Sequence, residues 1–508
     1  MIRLYTASEM AACDKRTIEQ LGIPSLILME RASLAIAEEV QKELTGKDGA
    51  RVLCACGSGN NGGDGAACAR ILHMRGIDVS LHLLGDPSHR SPEMQTQLLW
   101  AQRLGIPMDP DPEWDSYTVI VDAIFGIGIS REVSGAYRNT IEMINRFGRC
   151  VIAADIPSGI HADTGAVMGA AVCADTTVTM QHAKIGLFVG EGRVHAGNVR
   201  IAEIGILPLA EQLFSLDTTA FTQEDLIRLL PRRRPDGNKG TFGKVLVIAG
   251  SKNMCGAAYL AAYAALRTGA GMVKILTHET NRVILQQMLP EAMLSTYENF
   301  SEALDELDRG LRWCDAAAIG PGLGTDETAQ ALVGRLILNA SCPVVADADA
   351  LNVISAEGGV KILTDRRASF YITPHLKEAE RLTGVPVQQI RNDSVRFAAA
   401  IAAGCGIICV LKDAVTVTAA PQQIVRVNTT GNDGMATAGS GDTLTGMLAG
   451  LLAQGMRGID AASAAVCLHG SCGDLAAVKL GRRFMKAADI TDSLSEYLKD
   501  LEGQGKEY

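Results

Sequence analysis

No two cysteines in the 508-residue sequence are spaced Cys-x-x-Cys. The 13 cysteines therefore do not read as a zinc site, and in a chain this long they do not read as a disulfide framework. Cys54 and Cys56 alternate along one strand face, and most of the others sit in apolar runs, so reduced core residues and a cytoplasmic protein are expected. Basic clusters are also lacking. Nothing basic is clustered beyond the run Arg232, Arg233 and Arg234, the net charge is -10 and the isoelectric point is near 5.5, which argues against nucleic acid as the main partner. Nor is there an apolar run of bilayer length. The longest, Phe397 to Leu411, is too short to span and is broken by Gly404 and Gly406, so it reads as helix, turn and buried strand, and no membrane partner is expected. The N-terminus, Met-Ile-Arg-Leu-Tyr-Thr, runs directly into a helical pattern with no signal-peptide character. Aromatic residues make up only 4%. With many Ala and Gly and 47% hydrophobic residues, that composition suits the alternating strands and tightly packed helices of an α/β protein.

The length calls for two or three domains. Helical periodicity covers residues 7–20 and 24–43, after which strand-like runs alternate with helices at 51–56, 78–84, 118–124, 150–155, 176–180 and 198–204. A second alternating series begins at Lys244 and includes strands near 272–277, 315–319, 343–347, 368–372 and 407–411, hairpin-like runs at 414–428, and two Ala-rich helices, Asp442–Gln454 and Asp460–Val478. Such alternation predicts parallel sheets flanked by helices. The expected organisation is an N-terminal Rossmann-like three-layer α/β/α domain over 1–216, a linker over 217–238 containing Pro231, the arginines and Pro235, and a C-terminal α/β/α domain over 239–508.

Each domain carries a glycine-rich turn of its own kind. Residues 57–65, Gly-Ser-Gly-Asn-Asn-Gly-Gly-Asp-Gly, contain the dinucleotide fingerprint as Gly57, Gly59 and Gly62, with Asp86 near the end of the next strand. A pyrophosphate turn needs only backbone, so Asn60, Asn61 and Asp64 point instead to a polar ligand or a hard cation held through oxygen. Asp122 with Phe125-Gly-Ile-Gly128, and Asp155-Ile-Pro-Ser-Gly159, fall at other strand ends, where open sheets bind ligands. In the second domain, residues 431–446, Gly-Asn-Asp-Gly-Met-Ala-Thr-Ala-Gly-Ser-Gly-Asp-Thr-Leu-Thr-Gly, place Asp442 in a turn opening an apolar helix. Gly439, Ser440 and Gly441 leave N–H groups free for a phosphate or a developing negative charge, and a carboxylate beside them suits a general base. Helix capping explains Asp442 alone, but not the further glycines with Asn432 and Asp433.

The first three motifs, in order, resemble the epimerase domain of the bifunctional NAD(P)H-hydrate repair enzymes over about residues 1–215. The resemblance implies that Asn60, Asn61, Gly62, Gly63, Asp64, the loop of Gly126, Ile127, Gly128, Ile129, Ser130, Arg131 and Glu132, Tyr137 and Asp155 line the hydrated nicotinamide nucleotide, and that Asn61, Asp122 and Ser158 hold a potassium ion. Asp155 is the candidate proton donor and acceptor for epimerisation. Gly240–Ser251, Gly320-Pro-Gly-Leu-Gly324, Asp347-Ala-Asp-Ala-Leu-Asn352, Thr373-Pro-His375 and the 431–446 loop resemble the dehydratase domain of the same family, which has a ribokinase-like fold. That resemblance implies hydrate contacts from Ala257, Gly324, His375 and Asp442, and adenine nucleotide contacts from Lys412, Asp413, Ala414, Val415, Thr416 and Gly441. It also implies ADP as co-substrate, with AMP released, magnesium against the phosphates, and Asp442 deprotonating the hydroxyl to be phosphorylated and eliminated. Self-association into a homo-oligomer is expected. Two positions depart from the family pattern: Leu376-Lys377 replace Pro-Gly after the histidine, and Asp413 replaces Gly after the lysine. The alternative is a ribokinase-like small-molecule kinase fused to a nucleotide-binding domain, which would phosphorylate an alcohol and stop.

Overall fold

The computed structural model describes all residues except 48, 209–213, 215, 234 and 505–508. The chain divides into two compact units, Ile2–Thr218 and Thr219–Tyr508 with Met1.

The N-terminal unit is built on a six-stranded parallel sheet in the order Asp78–Leu83, Arg51–Cys56, Val119–Ala123, Val151–Ala154, Thr176–Met180, Asn198–Ala202. Val52, Cys54 and Cys56 face one core, Leu53 and Ala55 the other, and all are fully buried. A parallel sheet covered on both faces demands such continuously apolar strands. Strand order reverses between Arg51–Cys56 and Val119–Ala123, which opens a crevice at their C-terminal ends. The helix Asn60–Met74 follows the first of these strands so closely that a Cβ on Gly65 would lie 2.5 Å from the Ala123 side chain and 2.8 Å from Cys56 Sγ. Asp86, the acid of the formal dinucleotide fingerprint, is spent on a turn, accepting from the Ser88 N–H at 2.8 Å.

The C-terminal unit holds seven parallel strands in the order Met293–Tyr297, Met272–His278, Lys244–Ile248, Ala316–Ile319, Val344–Ala346, Phe370–Ile372, Ile408–Leu411, followed by antiparallel Val417–Ala419 and Ile424–Asn428. Its order reverses between Lys244–Ile248 and Ala316–Ile319. Helices Cys255–Arg267, Ser440–Ala453 and Gly458–Leu480 share one core. Gly446 lets the first two cross closely, since a Cβ there would sit 2.0 Å from the Ala261 carbonyl oxygen. Gly458–Leu480 is long and apolar enough to cross a membrane, but 78% of its apolar window is buried inside the chain, which makes it a core helix.

The segment read as a linker carries regular structure: a strand, Asp217–Phe221, and a helix, Gln223–Leu229. Thr222 and Asp225 form a capping box and Leu226 is fully buried, signals outweighed in the sequence by the prolines and arginines just beyond. Arg234 lies outside the described residues. The edge strand Met293–Tyr297 also escaped the sequence reading, because it is short and half-exposed. All thirteen cysteines are free thiols.

Candidate active sites

The N-terminal crevice opens into a cavity of about 1110 Å³ lined by Asn60, Asn61, Asp64, Gly126–Glu132, Tyr137 and Asp155. Gly62 and Gly63 are buried behind it and shape the turn; a Cβ on Gly62 would fall 1.9 Å from the Gly57 carbonyl oxygen, and one on Gly63 2.6 Å from the Met29 methyl. Asp155 follows the strand Val151–Ala154 in the left-handed region, with φ 68°. Its Oδ1 accepts from the buried Lys184 ammonium at 2.5 Å and from the Met180 N–H at 3.0 Å. Lys184 was not foreseen, because the stretch Met180–Ile185 also holds Gln181 and His182 and does not mark its lysine as buried. Asp64 lies on the cavity wall, desolvated and facing Asp155 and Asp14, and is pushed well above the usual carboxylate range.

Asp122 and Ser158 lie beneath the cavity floor. Asp122 accepts from Ser158 Oγ at 2.5 Å and from the Ser158 N–H at 2.7 Å, while Ser158 Oγ accepts from the Phe125 N–H at 2.8 Å. Burial raises Asp122 to about 6 against these hydrogen bonds. Asn61 Nδ2 is buried without a hydrogen-bond partner, and a Cβ on Gly126 would lie 3.5 Å from the Asn61 side chain. The Asp122 carboxylate, the Ser158 hydroxyl and the Phe125 carbonyl, which accepts from Ser158 Oγ at 3.3 Å, thus converge as oxygen groups of the kind that suit a hard monovalent cation.

In the C-terminal unit the functional side chains leave successive strand ends. Asp347 follows Val344–Ala346 and is buried; it accepts from Lys412 Nζ at 2.8 Å and from Thr445 Oγ1 at 2.8 Å. Burial works against its charge, but Lys412 and these hydrogen bonds hold its pKa below the ordinary value. Lys412 follows Ile408–Leu411, and its ammonium lies 3.2 Å from where a Cβ on Gly441 would stand. Burial would lower Lys412, yet the Asp347 and Glu378 charges raise it. Gly439, at φ 87°, opens the helix Ser440–Ala453, leaving first-turn N–H groups at Gly441 and Asp442 directed outward. Asp442 is raised to about 7 by burial first and the Asp347 charge second, with Lys412 pulling it down. Asp349, whose Oδ2 accepts from the Gly324 N–H at 2.9 Å, adds to the push.

His375 caps the helix Leu376–Thr383, Nδ1 accepting from the Lys377 N–H at 3.1 Å, while Glu378 reaches back to the His375 N–H at 2.9 Å. Glu378 therefore faces the ring, its Oε1 3.3 Å from Nε2, and burial and Lys412 lower the histidine's pKa. Leu376 occupies the first helical position and Lys377 supplies the N–H that His375 receives, so the departure from Pro-Gly keeps the cap. Asp413 is turned to Arg391 at 3.3 Å. Val415 is buried, and the Thr416 carbonyl accepts from the Asn428 N–H at 3.0 Å. A Cβ on Gly322 would meet Ala257 at 3.0 Å, which brings the Gly320–Gly324 turn beside Ala257. Asn432 and Asp433 prove to brace the loop: Asn432 donates to Asp474 at 2.8 Å, and Asp433 accepts from Arg482 at 3.2 Å. His469, unforeseen, sits buried with Nε2 3.0 Å from Thr443 Oγ1, under the anion turn. The described residues contain no group of three or more His, Cys, Asp or Glu that could hold a metal. The residues still fit magnesium, because that ion needs only one or two carboxylates when nucleotide phosphates supply the rest.

Fold and geometry together define a two-unit α/β enzyme whose candidate sites gather at the C-terminal ends of parallel strands. Family models match both units: NAD(P)H-hydrate dehydratase over residues 245–496 and YjeF-related protein N-terminus over 25–186. The chain is 38% identical to the bifunctional NAD(P)H-hydrate repair enzyme Nnr of Moorella thermoacetica, covering 98% of this chain and 97% of that one, and 34% identical to the enzyme of the same name from Escherichia coli, covering 97% and 93%. It belongs to the family of bifunctional NAD(P)H-hydrate repair enzymes. The ADP/ATP-dependent NAD(P)H-hydrate dehydratase of Bacillus subtilis, co-crystallised with ATP/Mg2+, aligns at a TM-score of 0.51 and 33% identity, covering 57% of this chain and 99% of that one. A ribokinase-like superfamily protein from Enterococcus faecalis aligns at 0.50 and 28%, covering 57% and 99%. The C-terminal unit has the ribokinase-like fold.

Proposed function

We propose that the N-terminal unit interconverts the R and S forms of hydrated NADH and NADPH, and that the C-terminal unit returns the S form to the reduced cofactor at the expense of ADP. The observation that carries this reading is Asp442: a carboxylate without an ion pair among the described residues, balanced near neutrality, at the mouth of a glycine-opened helix and beside Lys412.

Hydroxide is a poor leaving group, so the hydroxyl must first be made a better one. Asp442 takes the hydroxyl proton, and the oxygen attacks the terminal phosphoryl group of ADP as the bond to AMP breaks and its electron pair leaves with AMP. The Gly441 turn and Lys412 face the negative charge on the moving group. Phosphate then departs with the carbon–oxygen electron pair, a proton leaves the neighbouring carbon to water, and the ring double bond is restored. Ala257, Gly324 and His375 would hold the hydrate, and Lys412–Thr416 with Gly441 the nucleotide. Magnesium, when bound, offsets phosphate charge. In the N-terminal cavity, Asn60–Asp64, Gly126–Glu132, Tyr137 and Asp155 would surround the hydrated ring. Asn61, Asp122 and Ser158 would hold potassium, which supplies positive charge beneath the floor. The free thiols suit a reducing cytoplasm.

The test mixes purified protein with both epimers of hydrated NADH, ADP, magnesium and potassium, and follows dihydronicotinamide absorbance. Full recovery of both epimers is expected, with AMP and phosphate formed in equal amounts. Recovery of one epimer alone would remove the N-terminal activity, and a stable phosphorylated product would make the C-terminal unit a kinase.

A further inference from the structure

The two carboxylates of the N-terminal cavity have opposite surroundings. Asp155 is clamped by the Lys184 ammonium, by the Met180 N–H and by Thr179 Oγ1 at 3.3 Å. Asp64, in the first turns of Asn60–Met74, lines the same cavity but has no hydrogen bond or cation among the described residues. The charged groups that act on it are negative: Asp155 across the cavity and Asp14 from the helix Ala7–Leu21. The Cys56 thiol on the adjoining strand also feels Asp64 and is itself driven upward by burial. Glu93 lines the cavity further out and raises Asp14 in turn. Two carboxyl groups in one cavity, one paired with lysine and one facing only other carboxylates, divide into a base and an acid.

We infer that Asp64 is the proton donor of the epimerase reaction and Asp155 its acceptor, a division that rests on the repair reading of this cavity. Hydration of an enamine double bond leaves the hydroxyl on the carbon attached to the ring nitrogen. Asp64 gives its proton to that hydroxyl oxygen; the carbon–oxygen bond breaks, its electron pair leaving with water, and the nitrogen lone pair forms a planar carbon–nitrogen double bond. Water adds to the opposite face, its oxygen lone pair forming the new bond as the π pair returns to nitrogen, and its proton passes to Asp155. The reverse epimerisation runs with the roles exchanged, and proton exchange with water in the cavity restores the starting pair. Burial of Asp64 beside negative neighbours favours its protonated form, the form a donor needs.

The experiment starts stereopure R hydrate of NADH without ADP and follows appearance of the S form by chromatography. In Asp64→Asn, kcat is expected to fall about 100-fold or more while KM stays within about threefold, Asp64→Glu is expected to regain part of the rate, and dehydration of the S form at the other site is expected to be unchanged. In H2¹⁸O the wild-type product should carry one solvent oxygen per inversion, and wild-type kcat should fall on the alkaline side as Asp64 loses its proton. A wild-type protein that does not interconvert the epimers would overturn the repair reading itself. An interconverting wild type with unchanged kcat in Asp64→Asn, or with only KM raised, overturns the assignment of Asp64 alone. Should Asp64→Asn not fold, an alkaline-flat wild-type kcat or the lack of ¹⁸O in the product overturns it equally.

Discussion

At the scale of single residues, Asp442 and Asp347 are neighbours with opposite titration. Asp442 is raised to about 7 in the folded chain, against about 4 for an unfolded aspartate, so the folded state binds the extra proton between those values. Stability from this group is therefore present at low pH and is lost as pH rises through about 7. Asp442→Asn should stabilise the C-terminal unit by up to about 4 kcal/mol at pH 8 and by about a third as much at pH 5, measured by denaturant unfolding at both pH values. The same titration gives the reaction its acid limb: a base must be ionised, so dehydratase kcat/KM should rise through about pH 7 in the wild type, while Asp442→Asn loses recovery altogether. Asp347 behaves in the other sense. Asp347→Ala strands the Lys412 ammonium in a buried position and should cost about 3 to 5 kcal/mol by chemical denaturation. Single-residue chemistry was only partly legible in the sequence. Asp155 and Asp442 stand in motifs, but Lys184 and His469 lie far along the chain from the groups they serve, and only the packing of strand ends and helices brings them together.

At the scale of elements, the glycine turns are set by backbone approach. Gly62 faces the Gly57 carbonyl and Gly57 faces that of Ile124, where a Cβ would lie 2.0 Å away, so the turn is wedged against the next strand end. Gly62→Ala should destabilise the N-terminal unit by about 3 kcal/mol in thermal or denaturant unfolding and depress epimer interconversion, with dehydration of the S form preserved. Most elements were legible because buried parallel strands are uniformly apolar and their helices strongly periodic. Where that logic does not operate, the sequence was silent: Met293–Tyr297 is a half-exposed edge, and Gln223–Leu229 is a short helix whose capping box stands beside prolines. Asn432 and Asp433, which helix capping left unexplained in the sequence, brace the turn.

At the scale of the whole molecule, two activities on one diffusing substrate predict complementation. Asp155→Asn alone should recover only the S hydrate enzymatically, and Asp442→Asn alone should recover none. An equimolar mixture of the two variants should recover both epimers, read as final absorbance at equal total protein. Failure of the mixture, with each variant folded and retaining its remaining activity, would mean that the hydrate does not pass between sites through solution. The two-unit architecture itself was readable from the pair of alternating series, since each series supplies the run of parallel strands in one unit. The helix Gly458–Leu480 bears on how such a chain comes to exist. Synthesis runs from the N-terminus, so every residue of the Ile2–Thr218 unit is available before the second sheet begins. The helix bearing Asp442 and its apolar cover arrive only near the end, so the core that Cys255–Arg267 begins stays unfinished until then. A ribosome stalled before Gly458 would hold a chain able to complete its first unit while displaying the greasy, unfinished face of its second. Chains stalled there should capture more chaperone than chains stalled at the end of the first unit, measured by co-purification of ribosome-bound chains.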